Sequence, residues 1–112
     1  MLEFSKIEQN NAEISEKLNA LKQEILIVTS NNIAGKNITK TLGIVRGISD
    51  TSTNSKKEFN LAEAEALYNM LNDAKNIGAN AVTDVKISTG TYQHQGWQVS
   101  QVIYIGTAII VG

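Results

Sequence analysis

The sequence predicts an α+β domain: a small antiparallel or mixed sheet with one packed helix, plus an N-terminal helical extension. Three observations carry this. Residues 2–25 repeat apolar side chains at helical spacing, and residues 57–77 do so again. Runs rich in β-branched residues lie between and after these two segments, bounded by turn-forming residues. The resulting order of helix, strand, strand, helix, strand, strand belongs to the α+β class.

The N-terminal signal is a heptad. Phe4, Ile7, Ile14, Leu18, Leu21 and Ile25 are spaced 3, 7, 4, 3 and 4 apart, with Asn11 filling the gap. Glu8, Ser15, Lys22, Asn10, Lys17 and Glu24 flank this seam and are all polar. A narrow apolar seam with polar flanks is what self-associating helices need, whereas a helix packed on a globular core usually carries a wider stripe. The seam residues Phe4, Ile7, Ile14, Leu18 and Leu21 are therefore candidate oligomer contacts, with packing on the chain's own core as the alternative. Asn11 at a seam position would fix register at a cost in stability.

The pattern changes at Ile25. Ile25-Leu26-Ile27-Val28-Thr29 reads as a buried strand, and Ser30-Asn31-Asn32 and Ala34-Gly35-Lys36-Asn37 read as turns. A second strand is expected from Ile38 to Ile48, with Leu42, Ile44, Arg46 and Ile48 on one face and Gly43, Val45 and Gly47 on the other. Two glycines on one face permit a helix or another backbone to approach closely. The polar stretch from Ser49 to Ser55 lacks the glycines of a phosphate-cradling loop and reads as a solvated connector.

The second helix is expected from Lys57 to Ile77, with capping-box spacing at Ser55–Glu58 and again at Asn60–Glu63. Leu61, Ala64, Leu67, Tyr68, Leu71 and Ala74 form its main stripe; Ala62, Ala66, Met70 and Ile77 form a weaker one. Gly78 sits where a helix ends in a left-handed residue. In the next strand, Ala81, Thr83, Val85 and Ile87 alternate with Asp84, Lys86 and Ser88. A turn carrying Tyr92, Gln93 and His94 is expected between Thr89-Gly90 and Gln95-Gly96. The last strand, Trp97 to Val111, has apolar residues on both faces, so it is covered on both sides or lies at a subunit interface. Val102 and Tyr104 are candidate interface residues on that ground.

Composition bounds the function. The chain has 112 residues, one domain's length at about 100–200 residues per domain. Ten basic and eleven acidic residues give a net charge of -1, which argues against nucleic-acid and polybasic membrane partners. Ile, Leu, Val and Phe make up 31 residues, enough for a folded but small core that oligomerisation would complete. The N-terminal charges Glu3, Lys6, Glu8, Glu13 and Glu16 exclude a signal peptide there, and a cytoplasmic protein is expected. There is no Cys and a single His, so thiolate chemistry, disulfides and Cys-rich metal sites are excluded.

Three blocks carry a family resemblance. Leu42-Gly-Ile-Val-Arg-Gly47, Ala74-Lys-Asn-Ile-Gly-Ala-Asn-Ala-Val82 and Tyr104-Ile-Gly-Thr-Ala-Ile-Ile-Val111 resemble, in order and spacing, the motifs of the YbjQ-like family. Its members are small bacterial domains often labelled heavy-metal-binding. The match covers residues 25–112 and leaves residues 1–24 as a helical, coiled-coil-like extension. The resemblance implies a dodecin-like α+β fold assembled as a homopentamer, with the sheets joined into a barrel-like ring. It implies no established activity. Ile48 follows Gly47 where the family often has an acidic residue, which removes one possible metal ligand.

The candidate ligand-binding residues are Arg46, Tyr92, His94 and Trp97. Arg46 interrupts an apolar strand face and could hold an anion, pair with Asp84 or Glu58, or extend its head to solvent. Tyr92, His94 and Trp97 lie within six positions and could stack on a flat ligand or pack at a loop. A zinc site needs three or four ligands, and one imidazole per chain supplies that only where a ring brings copies together. No catalytic residues, cofactor or metal ligands are assigned. The expected function is a non-enzymatic homo-oligomeric module; the alternative is a small-ligand or heavy-metal-binding protein with sites between subunits.

Overall fold

A computed structural model describes residues 2–49, 56–94 and 96–112, and the side chains of residues 10, 12–49, 59–91, 96 and 100–112. The elements are α1 (Leu2–Glu24), β1 (Leu26–Ile27), β2 (Ile38–Ile48), α2 (Lys56–Asn76), β3 (Ala81–His94) and β4 (Trp97–Val111). The four strands form one mixed sheet in the order β1-β3-β4-β2. β1 runs parallel to β3, while β4 is antiparallel to both of its neighbours, β3 and β2. The α+β class read from the sequence is the observed one. No helix among the described residues is long and apolar enough to cross a membrane.

α2 lies against the sheet through its small residues. Ala62 and Ala66 are wholly buried against Val102 of β4. Gly47 of β2 faces the same helix, and a Cβ there would run into the carbonyl of Ala66 and the backbone nitrogen of Met70. The close approach expected from the strand glycines is thus made at Gly47. The stripe of Ala62, Ala66 and Met70 that looked weaker in the sequence is a buried one, because alanines let the helix backbone reach the sheet. α2 starts at Lys56, so Asn60 lies inside the helix rather than at its cap. It ends as expected at Gly78, whose φ of 92° lets Ala79 N–H reach the Ala74 carbonyl and Gly78 N–H the Lys75 carbonyl, each at 3.0 Å.

α1 packs parallel to α2. Near their N-terminal halves, Asn10, Ile14 and Lys17 share a groove with Leu61 and Glu65. At their C-terminal ends, Lys75 and Glu24 pair at 2.9 Å. Leu18, Leu21 and Ile25 are buried in one cluster with Met70, Leu71 and Ala74. Each such aliphatic side chain contributes about 1.5–3 kcal/mol when fully buried. The seam at Leu18 and Leu21 is therefore satisfied within the chain, which corrects their reading as contacts between subunits. Phe4 and Ile7 have side chains outside the described residues, and Ile14 is half-buried.

Two features of β3 depart from the expected alternation. Its register against β4 shifts between Thr83 and Lys86, where Asp84 takes a φ of 53°. Asp84 and Val85 donate their N–H groups to the carbonyls of Ser30 and Val28, at 2.8 and 3.2 Å. This bulge puts Val82 and Val85 in the same core cluster and leaves Ile87 exposed, so the single-face set of Ala81, Thr83, Val85 and Ile87 does not hold. Beyond the bulge, β3 continues to His94 instead of turning at Thr89. Its partner β4 already begins at Trp97, and the two pair without interruption from Lys86–Ile105 to His94–Trp97.

Asn80 ties the helix–strand joint to the end of the chain. Its side-chain amide donates to the Val111 carbonyl and its side-chain oxygen accepts from Val111 N–H, both at 2.9 Å. Its backbone carbonyl accepts from Leu26 N–H at 3.0 Å, which docks β1. Ile33, in the segment between β1 and β2, covers Ala81, Ile109 and Val111 on the side of the sheet away from α2.

Candidate binding surface

Strand register sorts the sheet into two faces. Opposite α2, β2 contributes Ile44, Arg46 and Ile48, paired with Thr107, Ile105 and Ile103 of β4. Lys86 and Ser88 of β3 flank the same Ile105 and Ile103 on the other side. Helix α2 covers one face only, and Ile33 covers only the end near Ile109. The middle is bare: Ile44 is 75% exposed, and Ile48 and Ile105 are 39% exposed each. Three large aliphatic side chains thus lie exposed on this face of the sheet. The alternation of Ile44 and Ile48 on one strand and Ile103 and Ile105 on another was the sequence signal for it.

Arg46 sits at the centre of this face, beside Ile105, with Lys86 on the opposite side of the same residue. Neither cation forms an ion pair among the described residues. Asp84 sits at the bulge and forms no ion pair with Arg46 among the described residues. Among the described residues the face thus carries two cations without an ion-pair partner; Glu58, the other acid expected near Arg46, has its side chain outside the described residues.

The other candidates lie elsewhere. The register sets His94 opposite Trp97 and Tyr92 opposite Val99 in the β3–β4 hairpin. The side chains of Tyr92, His94 and Trp97 lie outside the described residues. Arg46 pairs with Ile105, eight residues along β4 from Trp97, which is about 26 Å of strand at roughly 3.3 Å per residue. One chain does not bring Arg46 together with the hairpin trio.

Val102 and Tyr104 also need correction as exposed contacts, because both face α2. Val102 has no exposed surface, and Tyr104 is half-buried. The Tyr104 hydroxyl donates to the Glu63 carboxylate at 3.1 Å. Burial, then the neighbouring Glu63 charge and this hydrogen bond, push the phenol up to about 12.

The hairpin leaves edges open. Among the described residues, β2 pairs on one side only, and β3 beyond Lys86 pairs only with β4. Among the described residues β2 ends at Ile48 opposite Ile103, and Ser49 continues the contact with β4: its N–H donates to the Val102 carbonyl at 2.9 Å, its hydroxyl accepts from Val102 N–H at 3.0 Å and its carbonyl accepts from the Gln101 side-chain amide at 3.1 Å.

Metal-holding chemistry does not fit the described residues. The sequence has no Cys and one His, and no three His, Asp or Glu residues come together among the described residues to hold an ion. Soft metals favour thiolate and imidazole ligands in a fixed shell.

Residues 52–112 match the model of a family described as "Putative heavy-metal-binding". A UPF0145 protein of Pyrococcus furiosus is 31% identical, over 81% of this chain and 94% of the relative. A UPF0145 protein of Methanosarcina acetivorans is 29% identical, over 76% of this chain and 95% of the relative. A crystal structure of a protein of unknown function from Pediococcus pentosaceus, assigned to the DUF74 family, superposes with a TM-score of 0.57. It is 19% identical and the match covers 79% of this chain and 98% of that one, which shows the shared fold. The relatives are thus matched over nearly their whole length, while about a fifth of this chain lies outside each match. With its helix–strand and terminal-strand motifs inside the matched residues and its relatives aligned almost end to end, the chain belongs to the YbjQ-like, UPF0145 family of uncharacterised proteins.

Proposed function

We propose that the protein is a non-enzymatic ring-forming module, a homopentamer whose subunits cover one another's bare sheet faces. Residues 25–112 form the ring domain and residues 1–24 an extension, packed as α1 along α2. The observation that carries this is the exposed isoleucine face around Ile44, Ile48 and Ile105 at the middle of the sheet. A soluble monomer rarely leaves such a patch uncovered. The open edge of β2 on one side of the subunit and of the β3–β4 hairpin on the other supports a head-to-tail contact, the kind that closes into rings. Arg46 and Lys86 would meet carboxylates of the neighbouring subunit across that contact. Five copies is the number that the family resemblance supports.

The test is a pair of charge substitutions on the bare face, Ile44→Asp and Ile105→Asp, followed by light scattering. Ile44 is the more exposed of the two, and circular dichroism identifies the variant that keeps the fold before its mass is read. The assembled mass should fall toward that of one chain. An unchanged assembly would show that subunits meet elsewhere.

A further inference from the structure

A shallow cavity of about 470 Å³, largely open to solvent, lies where the end of α1 meets the sheet. Its walls come from five elements and the segment after β1; Ile25, Leu67, Val85 and the ring of Tyr104 make them apolar, and Lys22 and Thr29 supply polar groups. The volume suits a small molecule, since ligand pockets run about 300–1,000 Å³. Lys22 forms no ion pair and Thr29 no hydrogen bond among the described residues. The nearby acid Glu24 is engaged by Lys75, and Tyr104 directs its proton to Glu63. The lining side chains without a polar partner among the described residues are thus the Lys22 ammonium and the Thr29 hydroxyl, both of which can donate to an anion.

We infer that this cavity binds a small amphipathic carboxylate, with its hydrocarbon body against Ile25, Leu67 and Val85 and its head group held by Lys22 and Thr29. All of its lining residues come from a single subunit. One wall is the end of α1. A charged head at the cavity mouth discriminates by sign, while the apolar walls contribute equally to any alkyl chain of the same length.

Octanoate, octylamine and 1-octanol each have eight carbons and differ in head group, octanoate spending one of its carbons on the carboxylate. Calorimetric titration of the full chain should give one octanoate per subunit, with a dissociation constant in the range of about 100 µM to 1 mM for ten heavy atoms. Octylamine should bind at least about threefold more weakly, the weight of a partly exposed ion pair. Amide shifts on octanoate addition should centre on Leu26, Leu67, Val85 and Tyr104. Lys22→Glu, a surface change that leaves the core intact, should reverse the preference in favour of octylamine and leave 1-octanol unaffected. The inference is overturned by any of three results: no saturable octanoate binding, shifts centred elsewhere, or a head-group preference that Lys22→Glu does not move. Dimming of the same amides on assembly, with octanoate excluded, would mean that a neighbouring subunit occupies the cavity, and would also overturn it.

Discussion

Gly47 lies directly beneath the carbonyl of Ala66, with no room between strand and helix for a single added carbon. This contact sets the distance between α2 and the sheet, and with it the depth at which Met70 and Val102 are buried.

Gly47→Ala should therefore destabilise the fold. The new Cβ would meet backbone atoms of Ala66 and Met70, which cannot swing aside as a side chain can. Overpacking of a filled core costs about 1–3 kcal/mol. Urea unfolding followed by circular dichroism measures it. Stability equal to the unaltered protein would mean that α2 slides freely over β2.

Tyr104 should make the fold sensitive to strong alkali. Its phenol is held at about 12 in the folded state and titrates near 10 when unfolded, so the folded chain keeps a proton that the unfolded chain releases. The stabilisation linked to it is complete below about pH 10 and is lost as pH rises through 10 toward 12. Absorbance at 295 nm should show a tyrosine ionisation near 12 that Tyr104→Phe removes. Tyr104→Phe should flatten the fall in stability over that window. Glu63→Gln should lower the phenol's value only partly, because burial is the largest cause.

Zinc and copper should bind no tighter than the micromolar range, about -8 kcal/mol. The chain offers no thiol and one imidazole, and no metal-holding group forms among the described residues. Titration calorimetry on the assembled protein and on His94→Ala checks this. Submicromolar, stoichiometric binding abolished by that substitution would mean that a ring of His94 imidazoles builds the site one chain lacks.

Much of this architecture was legible in the residues. The bounds of β2 and β4 follow from β-branched runs between turn residues, and Gly78 marks the end of α2. Gly43 and Gly47 on one face of β2 permitted a helix or another backbone to approach, and α2 does so at Gly47 alone. The bulge at Asp84 was not legible, because an aspartate in a strand of alternating residues carries no mark of a positive φ. Its cause lies in backbone bonds to Val28 and Ser30, more than fifty residues away in sequence. The extension of β3 to His94 was hidden for a similar reason: Thr89 to Gln95 has turn-like composition, and only its pairing with β4 holds it straight. The seam of α1 was read correctly as a helix face, but its periodicity cannot distinguish a partner helix in another chain from α2 in the same one. Arg46 stood out because a charge interrupts apolar residues. The cavity beside Lys22 did not, since residues 22–29, 67, 85 and 104 meet only after folding.

Native mass spectrometry of freshly purified, full-length protein tests the central claim most directly. The account predicts one dominant species of five copies of the 12.2 kDa chain, about 61 kDa. A stable 12.2 kDa monomer at micromolar concentration would contradict it, because Ile44, Ile48 and Ile105 would then face water with nothing to cover them.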